Sequence, residues 1–430
     1  MDRKKDFVVK GDVIHIGKNK EIVCKKDAYV VCMNGICEGV FDELPEKWKG
    51  LKLYDDTGKL IMPGMTDLHV HAPQYTFRGL GMDMELLEWL QTNTFPEEAK
   101  YKDLNYAKSA YSFFTEDLKN SFTTRACIFA TLHTEATLEL MDQLERTGLI
   151  TYVGKVNMDR NGSVELCEKS ACESAKDTKL WLEETGRKDY HRTNPILTPR
   201  FIPSCSDELM RALSEIQKEY KLRVQSHLSE NLSEIAWVKE LVPQAESYGQ
   251  AYELFDMLGD KTYPAVMAHC VYSGEEEMDL LKAHHTYIAH CPDSNFNVAS
   301  GIAPIRKYLE RGISVGLGSD VAGGASLSIP QSMAHAVQAS KMYWRIKDQE
   351  IKPLTFDEVF FLATAGGGSY FGNVGSFQKG FECDLLVVDD SKIRSMRELT
   401  IKERAERMIY LPGECKITDK FVAGRRIDLT

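Results

Sequence analysis

Two periodicities divide this chain. Toward the amino end, residues 7–62 alternate apolar and polar positions in Phe7-Val8-Val9-Lys10 and Val13-Ile14-His15-Ile16. They then run Tyr29-Val30-Val31-Cys32-Met33, Asn34-Gly35, Ile36-Cys37-Glu38-Gly39-Val40. Alternation of this kind predicts strands, because successive side chains point to opposite faces. An Asn-Gly pair between two such runs predicts a tight hairpin, since both central residues of that turn take positive φ. Strand-like runs return at Asp384-Leu385-Leu386-Val387-Val388-Asp389 and from Lys420 to Ile427. The two ends, 1–62 and 375–430, are expected to combine in one small β-sandwich domain.

In the central block, 63–374, short apolar runs alternate with amphipathic stretches. The runs at 65–69, 123–129, 152–156, 196–199, 222–226, 265–268, 287–289 and 314–317 read as strands, and eight is the number that closes a barrel. After the fourth, Ser206 reads as an N-cap, and Leu209, Leu213, Ile216 and Tyr220 follow at helical spacing. Strand–helix alternation implies parallel strands with right-handed crossovers. The expected architecture is α/β: a (β/α)8 TIM-like barrel carrying the composite terminal domain.

Composition narrows the partners. The chain has 430 residues, 43% apolar and 27% charged, with a net charge of −11 and no run of Lys or Arg. Such a surface suits neither a phosphate backbone nor an anionic membrane, so nucleic acid and lipid are excluded as expected partners. No stretch approaches the ~20 apolar residues of a membrane span, and the amino terminus lacks the apolar core of a signal peptide. A cytoplasmic location is expected. The eleven cysteines are scattered without a CxxC pair, so reduced, mostly buried thiols are expected rather than a disulfide framework.

A barrel gathers its chemistry at the carboxyl ends of its strands. The first strand ends in Asp67-Leu68-His69-Val70-His71, the fifth in Gln225-Ser226-His227-Leu228-Ser229-Glu230, the sixth in Ala268-His269-Cys270 and the eighth in Gly318-Ser319-Asp320. Residues two apart on a strand share a face, so His69 and His71 can reach one ion. A lone HxH is weak evidence, but four strand ends in register are not. Three imidazoles and one carboxylate, His69, His71, His227 and Asp320, suit Zn2+ or Fe2+ and leave room for a water, whose pKa on catalytic zinc falls to ~7. Glu230, three residues past His227, is placed to shuttle protons; its bland alternative is a solvated loop carboxylate. His269 is read as a group that steadies developing charge rather than a fifth ligand.

These segments resemble the amidohydrolase superfamily, in its branch of deaminases that use one metal ion. Beyond the strand ends, the resemblance rests on His71-Ala72-Pro73-Gln74-Tyr75, Leu86-Leu87-Glu88-Trp89-Leu90 with Thr94-Phe95-Pro96, Thr198-Pro199-Arg200-Phe201, His290-Cys291-Pro292-Asp293-Ser294-Asn295 and Lys379-Gly380-Phe381-Glu382-Cys383-Asp384-Leu385. It spans nearly the whole chain. It implies hydrolytic deamination of guanine to xanthine and ammonia, with one ion per chain and a homodimer. It also implies that Gln74, Arg200 and Phe201 hold the purine, bordered by His71 and His227, while Glu230 protonates a ring nitrogen and Asp320 and His269 assist deprotonation of water. Relatives with the same ligand set act on adenosine derivatives, cytosine or triazines, and a metal-free scaffold of the same fold is the alternative of another class.

Other features take plainer readings. His133-Thr134-Glu135 matches half of an unrelated zinc signature whose PCxxC is missing. His290 reads as a hydrogen-bonded structural histidine and Trp89 as core. Lys155 suggests the bridging lysine of a two-metal site, but that residue belongs after the fourth strand, where this chain has Arg200. Gly366-Gly367-Gly368 lacks the GK[ST] of a phosphate loop. The stretch Leu166 to Cys172 is expected to lie in a loop over the site without touching a motif residue.

Overall fold

The computed structural model describes residues 6–429. Four strands open the chain: β1 (Phe7–Ile16), β2 (Ile22–Met33), β3 (Ile36–Phe41) and β4 (Lys52–Pro63). The predicted hairpin joins β2 to β3, with Asn34 and Gly35 at φ 52° and 83°, so the Asn-Gly turn takes the positive φ values it was chosen for. Strand β4 is absent from the sequence reading. Its first eight residues, Lys52 to Lys59, are mostly polar and exposed, and its fully buried apolar side chains come only at Leu60-Ile61-Met62-Pro63.

The central strands follow. They are β5 (Met65–His71), β6 (Thr123–Phe129), β7 (Ile150–Gly154), β8 (Val156–Asn157), β9 (Thr193–Pro195), β10 (Thr198–Pro199), β11 (Val224–Leu228), β12 (Ala265–His269), β13 (Tyr287–His290) and β14 (Ser314–Leu317). All their pairings are parallel, in the order β5-β6-β7-β9 and β11-β12-β13-β14, with β8 against β10. A Leu197–Val224 bridge links the two ladders. The ring closes where Asp320 N–H donates to His69 O at 2.8 Å and His71 N–H to Val321 O at 3.1 Å. The third and fourth barrel strands are each broken in two, at Lys155 and at Ile196-Leu197, so eight staves appear as ten segments. Gly318 is required at the closure: a Cβ there would stand 2.7 Å from Cys291 Sγ and 2.9 Å from His69 Cβ.

Helices pack outside the ring. The helix Asp207–Tyr220 shows the logic: Ser206 accepts from Leu209 N–H, and Leu209, Met210, Leu213 and Ile216 are buried. Burial of each such side chain stabilises by about 1.5–3 kcal/mol.

Three last strands, β15 (Leu385–Asp389), β16 (Lys416–Val422) and β17 (Arg425–Arg426), join the first four in one sheet ordered β17-β16-β15-β4-β1-β2-β3. The expected sandwich is thus a single sheet curled on itself. Its far edge returns to its middle, where Cys37 N–H donates to Phe381 O and Cys383 N–H to Gly35 O, each at 2.8 Å. Phe7, Val9, Val30, Ile61, Leu385 and Phe421 fill the enclosed core. The unpredicted β4 lies at the centre of this sheet, and only Gly64 separates it from β5.

Candidate active site

The carboxyl ends of β5 and β11, with Asp320 just past β14, bring four side chains to one point. His71 Nε2 stands 3.2 Å from both His69 Nε2 and His227 Nε2. Asp320 Oδ1 lies 3.1 Å from His69 Nε2 and 3.4 Å from His71 Nε2. Their backbone is held as tightly. Asp67 accepts from Ser319 N–H at 3.0 Å and from His69 N–H at 3.2 Å, tying the first stave to the last. Asp320 at φ 46° and His269 at φ 71° occupy the left-handed region, a strain of order 1–3 kcal/mol that persists only where surrounding contacts enforce it.

Charge state matches geometry. Burial pushes His69 below the usual imidazole range, and His71 and His227 well below it. All three are therefore neutral, with a lone pair to offer. His227 Nδ1–H donates to Arg200 O at 2.7 Å, which leaves Nε2 as the free acceptor. Burial would raise Asp320, yet His69, His269 and His71 hold its carboxyl below the ordinary range. Neutral imidazole nitrogens crowded together beside a carboxylate fit a cation, and the donor atoms of His69, His71 and Asp320 lie within 4.8 Å of one another. Cys291 reaches the same distance with His269 and Asp320. Burial raises its thiol well above the ordinary value, so it stays protonated and a poor ligand.

His269 faces this group from β12. Its Nε2 is 3.4 Å from Glu230 Oε2 and 3.7 Å from Asp320 Oδ2, and Nδ1–H donates to Asn295 Oδ1 at 2.9 Å. Burial lowers its pKa, but Glu230, Asp320 and Asn295 outweigh that and hold it above the usual range. Glu230 is buried, accepts from Ser300 Oγ at 2.9 Å, and is pushed up to about 7, chiefly by burial. It is therefore poised to give or take a proton near neutrality.

A pocket opens on these groups, and Gln74, Arg200 and Phe201 line it as well, with Leu86, Trp89 and Leu90. Trp89, read as core, borders the cavity while its indole N–H donates to Leu80 O at 3.1 Å.

Several groups escaped the sequence reading. Glu98, behind Arg200 and Gln74, accepts from both; its signal was helical spacing, which sets it on the buried face of Phe95 in Phe95–Ala99. Glu234 stands buried at the cavity wall and forms the capping box Asn231-Leu232-Ser233-Glu234, a legible pattern. Asn295 closes the motif that begins at His290, but its bond to His269 was not foreseen, and Ser300 carries no pattern of its own.

Other expectations need correction. His290 is buried, with neither ring nitrogen hydrogen-bonded to another described residue, and burial pulls it down to about 3. It is structural through packing rather than bonding. Lys155, already set aside as a bridging ligand, pairs with Glu168 at 2.6 Å, both buried. Glu168 belongs to the 166–172 stretch, and Leu166 packs with Phe129, whose ring lies 4.6–4.9 Å from those of His69, His71 and His227. That stretch backs the histidines instead of merely overhanging them.

Known proteins share this plan. The chain is 36% identical to guanine deaminase of Dictyostelium discoideum over 427 residues, covering 97% of this chain and 91% of that one. It is 37% identical to guanine deaminase of Mus musculus over 380 residues, covering 86% and 83%. A crystal structure of guanine deaminase from C. acetobutylicum, with guanine bound in its active site, superposes with a TM-score of 0.94 at 43% identity, over 98% of this chain and 100% of that one. The sequence pattern of the Amidohydrolase family matches residues 60–427, from the end of β4 through every stave to the last strand, and the chain belongs to that family.

Proposed function

We propose that this chain hydrolyses the exocyclic amine of guanine, yielding xanthine and ammonia, with one zinc ion held by His69, His71, His227 and Asp320. One observation carries the reading. One pocket is lined both by neutral imidazoles with an ionised carboxylate and by Arg200 with Gln74, in a fold that a close relative uses with guanine bound.

When bound, the ion supplies Lewis acidity that makes water a nucleophile at neutral pH. The side chains do the rest. Arg200 and Gln74 address the ring edge remote from the reacting carbon, and Phe201 covers the ring. Glu230, half protonated near pH 7, gives its proton to the ring nitrogen beside that carbon, which drains electron density from a poor electrophile. Asp320 takes up the proton of the attacking water, with the protonated His269 beside it steadying the developing charge. That proton passes to the departing amine through Glu230, ammonia leaves, and the hydroxyl proton returns to Glu230 as the new carbonyl forms.

Zinc is the ion of this reading and Fe2+ its alternative, both suited to imidazole with carboxylate. The family resemblance supports a homodimer. None of the eleven cysteines is in a disulfide, which supports the cytoplasm; no helix among the described residues is long and apolar enough to cross a membrane.

An ultraviolet assay on guanine, adenine, cytosine and adenosine, beside metal analysis, tests the proposal. Guanine is expected to be consumed with release of ammonia by protein holding about one transition-metal ion per chain. Folded, metal-loaded protein that leaves guanine intact overturns it.

A further inference from the structure

Glu98 stands behind the cavity wall, 1% exposed. Its Oε2 accepts from Arg200 Nη1 at 2.6 Å; its Oε1 accepts from Arg200 Nη2 at 3.2 Å and from Gln74 Nε2 at 2.8 Å. Gln74 Oε1 is taken by the backbone N–H of Ala322 at 3.2 Å. The amide of Gln74 is thus fixed in one orientation, with its acceptor turned to the backbone. A guanidinium has no acceptor at all. What remains toward the cavity from these two side chains is N–H alone, and their neighbours Leu86, Trp89, Leu90 and Phe201 are mainly apolar there.

We infer that Glu98 is a positioning residue that gives this wall a donor-only character and thereby selects purines with a carbonyl at C6 over those with an amine. The inference rests on guanine deamination as the reaction. A carbonyl accepts from the wall. An amine in the same place sets donor against donor and leaves both buried and unpaired, which costs more than a missing bond. A site built around hydrogen bonds rejects analogues that cannot form them by about 10⁴–10⁵. Removing the charge at 98 releases Gln74 to turn its oxygen into the cavity and leaves Arg200 without its anchor.

The test is Glu98→Gln, which keeps shape and removes charge. Guanine and 2,6-diaminopurine present the same reacting amine at C2 and differ at C6 and in the N1 proton that only guanine carries. Steady-state kcat and KM for both are measured beside metal content and Tm. The preference for guanine is expected to shrink at least about tenfold through a raised KM for guanine, less than the full discrimination such sites reach. Equal losses on both substrates, or an unchanged preference, overturn the inference. Should Glu98→Gln not fold, Glu98→Asp keeps the charge and is expected to keep the preference; its collapse there overturns the charge argument. Wild-type protein that leaves guanine untouched sinks the reaction itself, a separate outcome.

Discussion

The two ends of the barrel are built from the same ingredients and put them to opposite use. At the amino end of the staves, Arg125 is 2% exposed and held by two carboxylates. Its Nε donates to Asp384 at 2.8 Å, and Nη2 donates to Asp384 at 3.0 Å and to Glu382 at 2.9 Å. Lys420, buried beside it, gives its protons to Lys119 O and Ser121 O and is pulled by burial to about 7. Here every charge faces protein, and the terminal sheet is clamped to the ring. At the carboxyl end, Arg200 meets a single carboxylate, three imidazoles turn lone pairs toward one another, and Ser229, His269, Cys270 and Asp320 all sit in the left-handed region. Polar groups satisfied only by protein make a joint; the same groups left partly unsatisfied toward a cavity make a site.

That contrast can be broken or sharpened, starting with the largest effect. Asp320→Ala removes the carboxylate of the cage; turnover of guanine is expected to fall by more than about 10⁴-fold, as befits loss of water activation, with less metal by elemental analysis and little change in circular dichroism. Glu230→Gln is expected to cost about 10²–10⁴-fold in kcat, the usual range for a proton shuttle, with metal retained. Arg125→Met should do the reverse: about 3–5 kcal/mol of stability lost in urea unfolding, because Asp384 is left buried without its partner, while kcat/KM of the folded fraction holds. An equal activity loss there would erase the division between the two ends.

The smallest effect concerns pH. Burial lowers His15, in the terminal sheet, from 6.5 to about 4. The unfolded chain therefore binds a proton first as pH falls, so this stability is whole above pH 6.5 and drains away toward pH 4. At 1.36 kcal/mol per unit, wild-type protein is expected to lose about 3 kcal/mol more than His15→Gln across that window. Parallel unfolding curves for the two proteins would refute this.

Much of this was legible because a barrel stave announces itself twice, by an apolar run and by the polar residue that ends it. The run at 123–129 coincides with β6, and His69, His71, His227, Glu230, His269 and Asp320 meet as strand ends do. Strand β4 was hidden because a strand half in solvent needs no apolar alternation, and its partners, β1 and β15, lie far apart in sequence. Glu98 was hidden because Glu97 beside it is the same residue with the opposite fate, taken up by Lys100 and Tyr106 near the surface. Only their spacing from Phe95 tells such neighbours apart, and a helix of five residues gives that spacing little weight.

Closure of the ring by Asp67 and Ser319, beside His69 and Asp320, has a consequence for synthesis. The two halves of the cage are 320 − 69 = 251 residues apart, so at about 5–20 residues per second roughly 13–50 s pass between making the first ligand and the last. Throughout that interval a nascent chain carries histidines without their carboxylate, and the proposed ligand set is complete only after the ribosome has delivered the eighth stave.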